Sequence, residues 1–316
     1  MPACSSFRTH PSKAFIDCGR KRHPCSPAVV INISRPRTSL YTAFSLTRTM
    51  ASPEPDKATF ENVVASENWT FPASGGPVFV DTTVTAYRGV EAYHGTVPVR
   101  QNDIDSRELA QHLKIIPRED IYPTLGGTTV DLTVAPKLYT KRPDISSLST
   151  TPKGTVASQF RHEVEIYETL SRTPHPSIVR YHGCVLFGDM IVAFQLEHCS
   201  TTLLDRIEQD DQFTKTAFEE CISQVESGLE HLHSLGLAHN DLNPANIMFV
   251  ADKANAVIID FDSCDYFGRQ LKRGGLVGGW DGGEPIATFQ LSSAECDKQA
   301  CQSIRDWGLH ALSQRR

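Results

Sequence analysis

The stretch from His239 to Cys264, HNDLNPANIMFVADKANAVIIDFDSC, constrains this chain more than any other feature. Asn246 stands five residues after Asp241, and Asp260 stands fourteen residues after Asn246. Pro244 and the neighbouring asparagines oppose a long helix here, so the loop can turn its polar side chains toward one point. Carboxylate and amide oxygens gathered in this way suit Mg2+. A carboxylate beside an attacking hydroxyl suits phosphoryl transfer. Asp241 is the candidate base, or the residue that orients the hydroxyl; Asn246 and Asp260 are the candidate metal ligands. An Asn/Asp-rich turn between a helix and a hairpin is the plainer alternative. It requires neither this joint spacing nor an Asp that closes an apolar strand.

The flanking sequence predicts strands with one inserted helix, then mainly helices, which is an α+β order. Residues 76–100 are β-branched and aromatic and predict two or three short strands, while 103–116 predict a short helix. Residues 129–143 are strand-like but interrupted by Pro136. Within 157–172, Phe160, Val164, Tyr167 and Leu170 recur at helical spacing. Residues 177–187 and 190–198 predict apolar strands joined at Gly188 and Asp189. The longest predicted helix is 214–236, with Phe218, Cys221, Ile222, Val225, Leu229 and Leu232 on its buried stripe and Gly236 at its end. Residues 295–314 predict the last helix.

Composition narrows the class. With 316 residues, 40% of them hydrophobic, the chain can bury a sizeable core, as one two-lobed domain or two small ones. No apolar run approaches the length of a membrane span, so no membrane partner is expected. The net charge of −6 argues against general nucleic-acid binding. The first 50 residues differ in kind: they hold eight of the 31 basic residues and one of the 37 acidic ones. They read as a disordered basic tail or an upstream segment, with Met50 as a second candidate start. Their arginines resemble a mitochondrial transit segment, but Pro and Gly break any amphipathic helix. Nine cysteines without a CxxC pair point to reduced thiols and a cytoplasmic or nuclear setting.

Several ordered motifs carry a resemblance. IYP stands at 121–123, YTKRP at 139–143, PHPSIVRYHG at 174–183, HLHSLGLAHNDLNPANIM at 231–248 and IIDFDSC at 258–264. Together they resemble the protein kinase-like fold, in particular a group of fungal kinase-like sequences, over about residues 115–312. The resemblance implies an α+β, two-lobed protein kinase-like fold with a shortened C-terminal lobe. It divides the chain into a tail at 1–50, a short β-rich extension at 51–114, and a kinase-like domain at 115–312, with lobes at about 115–197 and 198–312. It also implies ATP and Mg2+ as cofactors. Glu163 takes the place of the helix glutamate that pairs with a strand lysine. Lys141 fits that lysine better than Lys137, because Pro136 makes Lys137 an awkward strand centre. Backbone groups of Glu197 and Cys199, in the segment LEHCS, would meet the adenine edge. His239 would support the catalytic loop rather than act as acid or base.

The chain also departs from the family pattern. Only Gly126 and Gly127 stand where a longer glycine-rich phosphate loop is usual. Asn240 replaces the arginine that precedes the catalytic Asp and pairs with a phosphorylated activation loop, so that switching route is not expected. Asn243 replaces a lysine that would help the transferring phosphate. Asp262 adds a carboxylate beside Asp260, either joining the metal site or raising the local negative charge. Asp297 takes the place of the acidic anchor in the last helix. Few residues follow that helix, so a protein substrate would dock differently. The expected activity is transfer of the γ-phosphoryl of ATP to a hydroxyl, on Ser/Thr of a protein. The alternatives are a pseudokinase that binds without turnover, and a phosphotransferase acting on a small hydroxylated molecule, as choline-kinase-like and antibiotic-phosphotransferase-like enzymes do.

Overall fold

The first sheet is centred on a strand rich in β-branched residues, Val78–Arg88. The computed structural model describes residues 30–32, 60–72, 76–105, 108–125, 137–148, 151–250 and 255–315. Strands β1 (Val30–Asn32), β2 (Glu61–Thr70), β3 (Val78–Arg88) and β4 (Glu91–Val97) are antiparallel neighbours in that order. Val84, Ala86 and Val97 pack under Leu109 of the single-turn helix α1 (Leu109–His112).

The expected helix over 103–116 is therefore mostly absent. After α1 the chain straightens into β5 (Leu113–Ile115), which pairs with Tyr93, His94 and Gly95 of β4. Gly95 explains the close approach, since a Cβ there would lie 2.2 Å from the His112 carbonyl oxygen. The sheet edge captures Leu113 and buries it, which outweighs local helix preference.

The next unit starts with the short helix α2 (Arg118–Ile121) and strand β6 (Tyr139–Lys141). Helix α3 (Thr155–Ser171) follows, burying Phe160, Glu163, Val164, Tyr167 and Leu170 on one face. Strands β7 (Tyr181–Phe187) and β8 (Met190–Leu196) form the expected hairpin and give a sheet ordered β6-β8-β7. Residues 177–180 are not strand; Ile178 makes only an isolated parallel bridge to Ile258.

The remainder is richer in helix. Strand β9 (Cys199–Thr202) leads into α4 (Leu203–Gln209), which sequence reading missed. Its signal was present: the Thr202 hydroxyl accepts from the Asp205 amide, and the Asp205 carboxylate accepts from the Thr202 amide, a capping box. Helix α5 (Lys215–Ser234) buries the predicted stripe. Then come β10 (Leu237–Ala238), a 3-10 turn at Pro244–Asn246, β11 (Ile247–Val250), β12 (Ala256–Ile258), β13 (Asp265–Tyr266), β14 (Leu276–Val277), β15 (Ala287–Thr288) and α6 (Ala294–Ser313). One apolar cluster runs from Phe160 of α3 through Phe194 of β8 and Phe218 of α5 to Ile304 of α6, so both parts share a core. Among the described residues, no helix is long and apolar enough to cross a membrane.

Candidate active site

The loop from His239 to Asn246 is held from beneath. Asp297, fully buried in α6, accepts from the His239 amide at 2.8 Å, the Asn240 amide at 2.8 Å and His233 Nε2 at 2.8 Å. His239 Nε2 donates to the Ile259 carbonyl at 2.9 Å, while its Nδ1 accepts from the Asp241 amide at 3.3 Å. One ring nitrogen donating and the other accepting makes the imidazole neutral. It thereby ties the loop to the residue just before Asp260.

Asn240 is a structural tie. It is fully buried at φ +63°, a conformation that Asn tolerates better than most residues. Its Nδ2 donates to the carbonyls of Ala238 and Ser263 and to Ser292 Oγ. Its own carbonyl accepts from the Gly275 amide at 2.6 Å, and a Cβ on Gly274 would lie 2.6 Å from that oxygen. Asn240 thus fastens the segment after β13 through hydrogen bonds.

Asn243 Oδ1 accepts from the Ala245 and Asn246 amides, capping the 3-10 turn. That turn presents Asn246, whose Nδ2 donates to the Asp241 carbonyl at 2.8 Å and to Asp241 Oδ2 at 3.2 Å. The Ile259 amide donates to the Asn246 carbonyl at 3.0 Å, so the two candidate metal ligands sit on directly bonded neighbouring chains.

Asp260 adopts φ +62°, a left-handed turn that ends the run from β12. Lys141 Nζ donates to Asp260 Oδ1 at 2.7 Å and to Glu163 Oε1 at 2.5 Å. Strand β6, helix α3 and the Asp260 turn therefore converge on one ammonium. Burial alone would lower the Lys141 pKa, but the carboxylates of Asp260 and Glu163 outweigh it and hold Lys141 well above its ordinary value. Lys137 is exposed in the turn before β6.

A column of rings stands behind these residues. Phe261 meets His239 at 5.1 Å and Tyr167 at 5.3 Å between centroids, and Tyr167 stacks on Tyr181 at 5.7 Å. Tyr167 lies one helical turn from Glu163, so the column links the Asp241 loop to the helix holding that glutamate.

Asp262 accepts from Arg273 Nη1 at 2.8 Å and from Ser263 Oγ at 2.8 Å. Sequence reading missed Arg273; its only signal was a cation between DFD and the glycine pair 274–275. The Glu197 amide donates to the Arg180 carbonyl at 2.8 Å, extending the β7–β8 ladder, so of its two backbone groups the carbonyl is the one left to meet a purine edge. The Cys199 thiol points to the Glu197 carbonyl at 3.8 Å, and burial pushes its pKa up to about 12. Gly126 and Gly127 lie outside the described residues.

The donor set has the chemistry of a magnesium site: a carboxylate on Asp260 and an amide oxygen on Asn246, both hard oxygen ligands. Among the described residues, no group of three or more His, Cys, Asp or Glu gathers as a protein-only metal cage. Two protein oxygens leave room for water and phosphate oxygens, as Mg2+ requires.

Glu163 offers a test of its surroundings. Burial pushes its carboxyl up to about 7, with the Lys141 ammonium opposing the rise and Asp260 and Asp262 adding to it. Between the ordinary value of 4.5 and about 7, the folded protein then binds more protons at this site than the unfolded chain. Its contribution to stability is full below 4.5 and is lost as pH rises through about 7. Glu163→Gln does not titrate. The stability of wild type minus that of Glu163→Gln is expected to fall between those two pH values, as measured by urea melts.

An α+β, two-lobed arrangement, with a strand lysine, a helix glutamate and an Asp-Asn loop converging between the lobes, defines a protein kinase-like domain. Residues 132–279, a little under half of the chain, match the protein kinase domain family. The chain is 32% identical over 122 residues to the serine/threonine-protein kinase/endoribonuclease IRE1 of Hypocrea jecorina, covering 34% of this chain and 10% of that one. It is 36% identical over 99 residues to the sensor for unfolded proteins in the ER ire1 of Schizosaccharomyces pombe, covering 28% and 9%. It is 32% identical over 94 residues to the Wee1-like protein kinase 2 of Gallus gallus, covering 28% and 16%. The chain thus spans less than a fifth of the length of these curated relatives.

Proposed function

We propose that the protein is an ATP- and Mg2+-dependent kinase that transfers the γ-phosphoryl of ATP to a hydroxyl, on Ser or Thr of a protein. The observation that carries this reading is Lys141, within hydrogen-bond reach of both Glu163 and Asp260. Lys141 would hold ATP phosphate oxygens, with Glu163 fixing its position. Asn246 and Asp260 would hold Mg2+, which when bound neutralises charge on the transferring group. Asp241 would accept the proton of the attacking hydroxyl, and its contact with Asn246 keeps base and ligand adjacent. Residues 115–312 would form the kinase-like domain, and the sheet before it would be a separate β-rich extension.

A small hydroxylated acceptor is the second reading, and one observation favours it. Asn243 is occupied as a turn cap where protein kinases of this pattern have a free cation. Incubation with radiolabelled ATP and Mg2+ tests both, using generic basic proteins in one arm and choline-like and aminoglycoside-like alcohols in the other. Transfer to protein is expected, falling roughly 100- to 10,000-fold in Asp241→Asn. Transfer only to small alcohols would select the second reading. No transfer in either arm, together with no Mg2+-dependent ATP binding, would reject both.

A further inference from the structure

The β3–β4 hairpin tip reaches the strand that carries Lys141. Arg142, the residue after β6, donates from Nη1 to the Gly89 carbonyl at 2.5 Å and lies over the Tyr87 ring at 5.1 Å. Tyr87, itself buried, donates its hydroxyl to the Pro143 carbonyl at 2.8 Å. On the other side of the tip, the Tyr122 hydroxyl donates to the Val90 carbonyl at 2.9 Å, and Arg118 of α2 pairs with Glu91 of β4.

Beneath these bonds lies an apolar cluster in which Tyr87 and Ala92 of the sheet meet Tyr122, Ile145 and Val156. Val156 belongs to the first turn of α3, two helical turns before Glu163. The sheet therefore touches both the strand of Lys141 and the helix of Glu163. Strand β6 has particular need of such support. It is three residues long and lies at the edge of its sheet, bonded only to β8 among the described residues. Short edge strands are held weakly by their ladder bonds alone.

We infer that the N-terminal sheet is a positioning element for the phosphate-binding pair: its hairpin tip and apolar underside hold β6 and α3 so that Lys141 and Glu163 stay in contact. This rests on the proposed kinase reading for its effect on catalysis. The positioning itself is a property of the fold.

Two full-length variants test it. Tyr87→Phe with Arg142→Ala removes the polar ties on the Lys141 side of the tip; Ala92→Asp places a carboxylate in the buried cluster. Amide hydrogen exchange at 139–141 and 155–163 is the readout independent of activity, and the KM for ATP is measured beside kcat. Exchange there is expected to quicken by roughly tenfold and the ATP KM to rise by roughly fivefold, with α5 and α6 protected as in wild type. Arg142→Lys, which keeps a donor facing Gly89, is expected to stay near wild type in both. Unchanged exchange in both double and single variants would overturn the inference. So would quickening spread equally over α5 and α6, which would mean general destabilisation. If the wild type transfers no phosphate, the kinase reading fails, while the exchange data still decide the positioning role.

Discussion

Asp260→Asn is expected to abolish ATP stabilisation that depends on Mg2+ while leaving the fold intact. The substitution keeps shape and volume, and Asn tolerates the left-handed conformation that Asp260 adopts at φ +62°. Lys141 keeps its partner in Glu163. What disappears is the anionic oxygen that would meet the metal. At a hundredfold excess over Kd, a ligand that binds only the folded state stabilises it by about 2.7 kcal/mol. For a domain of this size that is a rise in Tm of roughly 5–10 °C. Wild type is expected to show such a rise with ATP and Mg2+ but not with ATP and a chelator, and Asp260→Asn to show neither. Equal shifts in the two proteins would remove Asp260 from the metal site.

Asp297→Ala is expected to have the largest effect on stability. The carboxylate is fully buried and accepts from two buried backbone amides and from His233. Truncation leaves those buried donors without the carboxylate they share. Losing one side of a buried charged network costs about 3–5 kcal/mol, and Tm should fall on the order of 10 °C. Asp297→Asn retains one acceptor oxygen and should cost less. A Tm of Asp297→Ala within about 2 °C of wild type would mean that the loop over 239–246 is held by something else.

Periodicity made α3, α5, α6 and the β7–β8 hairpin readable, because each buries one continuous face whose spacing is local information. The helix expected over 103–116 failed for a tertiary reason: Gly95 opens a slot on β4 that draws the chain after His112 into the sheet. The candidate site was legible as a pattern of residue types at fixed spacing. Its connections were not. That Asn240 is a buried tie and that Arg273 meets Asp262 are facts of folding between segments 57 and 11 residues apart, whereas the Asn243 cap is local, reaching amides two and three residues on. The engagement of the Glu197 amide by Arg180 was hidden likewise, since strand register is set by the partner strand and not by the residue.

The fastening of the segment after β13 bears on how output could be governed. It is closed by the Gly275 amide's hydrogen bond to the Asn240 carbonyl and by the Arg273–Asp262 pair, and from Phe267 to Ala287 no side chain carries a hydroxyl. That stretch offers no hydroxyl for phosphate to be attached to, and its Arg273 is already paired with Asp262. What holds this segment is thus a set of contacts the chain already carries, anchored on the loop over 239–246 and on the turn at Asp262.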